Sequence, residues 1–135
     1  LYRPHLMKRV VNCQGEVVLE YRGERANLPI SASTLEVLKT AMWGVVNEDG
    51  GTGRLAQTPG VGVAGKTGTA QNPEGEDHAW FCGFAPYEDP QICVVCLIEN
   101  AGHGGALAAP IVRELIQSYL ESETSPQPQH TVPTF

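Results

Sequence analysis

The sequence has 135 residues, nine of them basic and 15 acidic, for a formal net charge of −6. The basic residues form no run, so a nucleic-acid partner is not expected. Length and a 41% hydrophobic content fit one modest domain or a piece of a larger one, and no apolar run approaches the ~20 residues of a membrane span.

In chain order, "HLMKRVVNCQGEVVLEY" (5–21) predicts two strands around a turn at Cys13-Gln14-Gly15. A polar loop follows. "SASTLEVLKTAMWGVVNED" (31–49) predicts a helix. Ser33-x-x-Glu36 has the form of a capping box, and Leu35, Leu38, Met42 and Val45 or Val46 make an apolar stripe. The glycines after Asp49 end it. "GGTGRLAQTPG" (50–60) is a loop and "VGVAGKTGTA" (61–70) a strand. "HAWFCGFAP" (78–86) and "ICVVCLIEN" (92–100) are two more strands, the second mostly apolar and expected to be buried. "ALAAPIVRELIQSYLES" (106–122) predicts a helix with Pro110 near its first turn and Ile111, Leu115, Tyr119 and neighbours on one face. The tail, 123–135, is polar and proline-rich and is expected to be disordered. Short connections join the strands after Val61, and short connections join antiparallel neighbours. The fold class is therefore α+β, an antiparallel sheet flanked by helices.

Four cysteines occur, at positions 13, 82, 93 and 96. Cys93-x-x-Cys96 has redox or zinc spacing. On a strand, however, positions three apart face opposite ways. All four are expected to be buried core thiols, with no metal site and no cofactor.

Gly60-x-x-x-x-Gly65-Lys66-Thr67 satisfies the P-loop pattern of nucleotide-binding proteins. A P-loop needs a helix beginning at its Lys-Thr, so that N–H groups face the phosphates. Here Gly68-Thr69-Ala70-Gln71-Asn72-Pro73 comes next, which is a poor helix start. Lys66-Thr67-Gly68 is also the K-T-G element of penicillin-binding proteins and serine β-lactamases, which sits on a strand. The predicted strand agrees with that second pattern.

K-T-G alone is short. "GKTGTAQ" followed by "HAWFCGFAP", "ICVVCLIENAGHGG" and "AAPIVRELI" closely resembles the C-terminal part of the transpeptidase domain of class B penicillin-binding proteins, most of all the elongation-type subgroup. "LYRPHLMKRVV" is similar to the segment that precedes this region in the family. The resemblance covers about residues 1–121, which puts the domain portion at 1–122 and the tail at 123–135, and implies a part of the serine β-lactamase/transpeptidase-like fold.

It implies acyl transfer: a serine attacks the D-Ala-D-Ala carbonyl of a peptidoglycan stem peptide, and an amine of a second stem peptide resolves the acyl-enzyme. β-Lactams would acylate the same serine. Carried onto matching positions, Lys66 would support proton relay and electrostatics. Thr67 would bind the substrate carboxylate, with Thr69 beside it. Gly68 would leave room for the ligand, and the Thr69 backbone N–H would be an oxyanion donor. His103, in the glycine-rich loop after the last strand, is a candidate for substrate binding. Thr52 and Arg54, before the strand, are candidates for substrate contact.

The family also needs S-x-x-K and S-x-N. Neither occurs here, so the chain contains no nucleophile. No signal peptide is expected within it. The expected partners are a missing N-terminal part of the same protein, stem peptides, β-lactams and elongation-machinery proteins. The expected location is the periplasmic face of the bacterial inner membrane, through an upstream anchor. Other readings are a β-lactamase or D,D-carboxypeptidase fragment, a noncatalytic sensor or binding module, and, remotely, a P-loop protein. Trp80, Phe81 and Phe84 are expected in the core, His78 at a strand end, and Glu74, Glu76 and Asp77 in a solvated turn.

Overall fold

The structure is a computed structural model that describes residues 3–23 and 26–124. The expected disordered tail lies outside the described residues from position 125 onward. The chain falls into two units, residues 1–34 and 35–135.

In the first unit, β1 (Arg9–Val11) pairs antiparallel with β2 (Val17–Glu20). The turn lies where the sequence places it. Gly15 takes a positive φ of 84°, open to glycine without strain. Asn12 organises the turn: its Oδ1 accepts the Gln14 and Glu16 N–H groups, at 3.0 and 2.9 Å. Helix α1 (Ala32–Asn47) begins at the end of this unit. Its cap is Ser31, not Ser33: the Ser31 Oγ accepts the Thr34 N–H at 3.1 Å. The Ser33-x-x-Glu36 spacing misplaces the cap because Ser31 also offers a hydroxyl, and three residues on its acceptor meets a free amide.

The second unit holds a three-stranded antiparallel sheet in the order β3 (Ala64–Ala70), β4 (His78–Ala85), β5 (Ile92–Ile98), followed by helix α2 (Gly104–Thr124). β3 starts at Ala64 rather than Val61. Val61 makes only an isolated bridge to Thr58 around a turn at Gly60, whose φ is 74°. The loop before it contains one 3₁₀ turn, Arg54–Ala56. α1 is tied into this unit by two side-chain amides. Asn47 Nδ2 donates to the Val63 carbonyl at 2.8 Å, and Gln57 Nε2 donates to the Val46 carbonyl at 3.0 Å.

The core gathers Val46, Ala56, Val63, Phe81, Ala85, Ala108, Ala109, Val112 and Ile116. Phe81 is its largest fully buried side chain. Glycines make the space for its ring. A β-carbon on Gly53 would come within 2.8 Å of the ring and one on Gly83 within 3.0 Å, and one on Gly65 would overlap it.

Two expectations about burial fail, for β5 and for Trp80, and α2 shows the same two-sidedness. α2 buries Ala108, Ala109, Val112 and Ile116, whereas Ile111, Leu115 and Tyr119 face outward. Small alanines let the helix backbone approach the sheet, so the alanine face wins over the bulkier stripe. β5 alternates between half-buried and exposed, with Val95 and Leu97 outward. Trp80 is exposed, while Phe81 is buried and Phe84 half-buried. β4, β5 and α2 all carry apolar side chains on two faces, and α2 covers one face of the sheet.

α2 also starts at Gly104, so Pro110 lies inside the helix rather than in its first turn. There it cannot donate to the Ala106 carbonyl. At its other end α2 runs to Thr124, so Glu123 and Thr124 belong to the helix.

Replacing Phe81 with Ala should lower unfolding free energy by about 3–5 kcal/mol, through lost burial and the cavity left among the three glycines. Denaturant titration of the protein and its variant measures this. A loss below about 1 kcal/mol would contradict the central place given to the ring.

Candidate active site

Lys66, Thr67, Gly68 and Thr69 all lie within β3, in the middle of a continuous strand. No helix begins at Thr67, so the P-loop pattern has no helix N-terminus to present to a phosphate. The chain is not a P-loop protein.

β3 is an edge strand of its sheet among the described residues. One side pairs with β4, and the other leaves alternate backbone groups unpaired. The register sets Lys66 opposite Cys82, Thr67 opposite Phe81, Gly68 opposite Trp80 and Thr69 opposite Ala79. Thr67 and Thr69 therefore share the face that α2 covers, and Lys66 and Gly68 share the other. The Lys66 side chain is exposed, and its Nζ donates to the Thr67 carbonyl at 2.7 Å. A β-carbon on Gly68 would sit 3.1 Å from the Trp80 Cβ. The cross-strand tryptophan alone is thus a reason for glycine here.

A cleft of about 510 Å³ opens beside β3. Thr67 and Thr69 form one wall. Gly51, Thr52, Arg54 and Leu55, from the loop after α1, form the second. His103, Gly105 and Ala106, where α2 begins, form the third. The fold thus brings together Thr67, Thr69, His103, Thr52 and Arg54, which lie far apart in sequence. Lys66 and Gly68 do not line this cleft. His103 is exposed, and its carbonyl accepts the Ala106 N–H at 3.1 Å. Arg54 pairs with Asp49 at 3.5 Å with both side chains in solvent, so the pair holds the guanidinium only weakly.

Two contacts fix the cleft from within. The Thr52 and Thr67 hydroxyls are 2.8 Å apart. Gly105 lies so close to the loop that a β-carbon there would overlap the Thr52 carbonyl oxygen. No local signal marks Gly105, since a glycine beside His103 and Gly104 reads as loop. His78 and Asp77 are structural: His78 Nδ1 accepts the Asn100 N–H at 3.0 Å, and the Asp77 carbonyl accepts the Ala101 and Gly102 N–H groups.

A family model described as the penicillin-binding protein transpeptidase domain matches residues 1–117. The chain belongs to the penicillin-binding protein transpeptidase family. It is 35% identical to the peptidoglycan D,D-transpeptidase MrdA of Haemophilus influenzae, over 96% of this chain and 22% of that protein. Its fold matches the D,D-transpeptidase domain of a peptidoglycan glycosyltransferase from Eggerthella lenta with a TM-score of 0.75 and 32% identity, covering 87% of this chain and 27% of the other. It also matches penicillin-binding protein A of M. tuberculosis in its penicillin G acyl-enzyme complex, with a TM-score of 0.74 and 31% identity, over 88% of this chain and 28% of the other. The chain thus spans roughly a quarter of the length of the relatives it matches, and its fold is a part of the β-lactamase/transpeptidase fold.

The cysteines are not the buried core thiols expected. Cys13 and Cys93 are exposed, Cys82 and Cys96 half-buried, and all four are free. Cys93 pairs with Phe84 on the sheet face away from α2, and Cys96 pairs with Phe81 on the α2 face. The two therefore point to opposite sides, as strand geometry requires, and cannot clamp one metal. Partial burial pushes the Cys93 thiol up from its ordinary 9.0, and the neighbouring Cys82 thiol adds to the shift. A raised thiol stays protonated through the neutral range, and the thiolate is the reactive form. Alkylation of Cys93 by iodoacetamide should therefore be slow at pH 7–8 and climb steeply above pH 9, as followed by peptide mass spectrometry. A rate already at its plateau by pH 8 would contradict this.

Proposed function

We propose that this chain is the C-terminal part of a peptidoglycan D,D-transpeptidase, one that cross-links stem peptides through a serine acyl-enzyme and is acylated by β-lactams at the same serine. The observation that carries the proposal is the K-T-G element on an edge strand, with the hydroxyls of Thr67 and Thr69 opening into one cleft.

The reaction class follows from the groups such an edge offers. A serine outside this chain attacks the carbonyl of the penultimate D-alanine, the amide C–N bond breaks, and D-alanine leaves with the serine's proton delivered to its nitrogen. The amine of a second stem peptide then displaces the serine. Lys66, on one side of the edge, supplies positive charge beside the proton transfers. Thr67, on the other side, donates to the terminal carboxylate, with Thr69 adjacent. Gly68 keeps the edge between them bare. The bond from Lys66 to the Thr67 carbonyl supports the view that Thr67 turns its backbone polar groups toward the free edge. By the period of two, Thr69 does the same, and its N–H then serves as one oxyanion donor. His103, at the mouth of the cleft, contributes to substrate binding.

The apolar faces of α2 and of the sheet that lie outward here are covered, on this proposal, by the N-terminal part of the same protein. That part carries the serine and an anchor holding the enzyme on the periplasmic face of the inner membrane, where elongation-machinery proteins are its partners. Residues up to Thr124, where α2 ends, form the C-terminal portion of the transpeptidase domain, and a polar segment follows.

Labelling with a fluorescent penicillin tests this. The chain alone should take up no covalent label. The chain joined to its N-terminal part should label, and Lys66→Ala should slow labelling by roughly 10²–10⁴-fold, the usual effect of a positioned proton-transfer group. Label on the chain alone, or none on the joined protein, would refute the proposal.

A further inference from the structure

We infer that Thr52 is a positioning residue for Thr67: its hydroxyl donates to the Thr67 hydroxyl, so that the Thr67 proton is aimed at the substrate carboxylate. The inference rests on the function proposed above and deepens it.

The two hydroxyl oxygens are 2.8 Å apart and come from segments 15 residues apart in sequence. A threonine hydroxyl has one proton and two acceptor lone pairs. If Thr67 donates its proton to Thr52, nothing is left for a carboxylate, which only accepts. If Thr52 donates instead, the Thr67 proton is free and the polarity runs in one direction, from Thr52 through Thr67 to the carboxylate. Each bond in such a chain strengthens the next.

Thr52 is placed for this by its surroundings. The Gly51 N–H donates to the Glu48 carbonyl at 3.0 Å, and the Gly53 N–H donates to the Val45 carbonyl at 2.9 Å. These bonds fix the loop on both sides of Thr52 to the end of α1. From above, Gly105 presses against the Thr52 carbonyl, and a β-carbon there would also come within 3.4 Å of the Thr67 methyl. The start of α2, the loop and β3 therefore meet at this hydroxyl pair. A merely structural threonine would need none of the one-way proton order.

The test uses the complete protein and the second-order rate of acylation by benzylpenicillin, which bears the carboxylate, and by its methyl ester, which does not. Thr52→Val keeps the shape and removes the hydroxyl. It should slow acylation by benzylpenicillin roughly three- to tenfold, the effect of one hydrogen bond, and leave the ester rate within about twofold. Thr52→Ser should restore the wild-type ratio of the two rates. That ratio is independent of how much protein is active, so partial misfolding does not obscure it, and Thr52→Ala replaces the valine variant if that fails to fold. Equal losses on both ligands, or no loss on either, would overturn the inference while leaving the proposed function standing. Failure of the wild-type protein to acylate at all would overturn both.

Discussion

The second unit depends on one aromatic ring and the glycines around it. Phe81 points from the central strand toward α2, and Gly53, Gly65 and Gly83 stand where side chains would collide with it. These three come from the loop, the edge strand and the central strand. Each gives up conformational restriction in the unfolded chain, which is unfavourable by a fraction of a kcal/mol or more per residue. In compensation, three segments close around one fully buried group. The alanines of α2 then cover the same region at short distance. Because the loop and β3 are both fitted to Phe81, the side chains on their cleft side inherit fixed positions. Thr52 and Thr67 meet for this reason.

Much of this was legible in the chain, and the reasons differ by element. The K-T-G strand could be told from a phosphate loop because the residues after Thr67 cannot start a helix. The opposition of Cys93 and Cys96 follows from the period of two alone. Local signals of this kind survive folding because they depend on only a few neighbouring residues. The meeting of Thr52 with Thr67, and the need for glycine at position 105, could not be read. Each is a contact between segments whose approach is decided by packing elsewhere. Which face of α2 meets the sheet could not be read for a related reason: its sequence carries two apolar stripes, and periodicity does not choose between them. The cap at Ser31 was a closer miss, since three hydroxyl residues lie within four positions and all could accept an amide.

The same two-sidedness leaves apolar side chains on the outside of this segment. Val95 and Leu97 on β5, and Ile111 and Leu115 on α2, lie exposed on surfaces a free-standing domain would make polar. On the function proposed above, these surfaces are where the rest of the transpeptidase domain packs.

Neighbouring residues on β3 place unlike chemistry on opposite sides of a single strand. Lys66 stands on one side and Thr67 on the other, so the handedness of the site is written in the parity of the strand. A shift by one position against β4 would exchange ammonium for hydroxyl and invert the cleft, and a shift by two would restore the sides with the wrong residues. The Asn47 amide on the Val63 carbonyl, just ahead of the strand, and the Gly65 opening over Phe81 admit one alignment only. Features away from the cleft therefore act as a counting device: they decide which side chains line it.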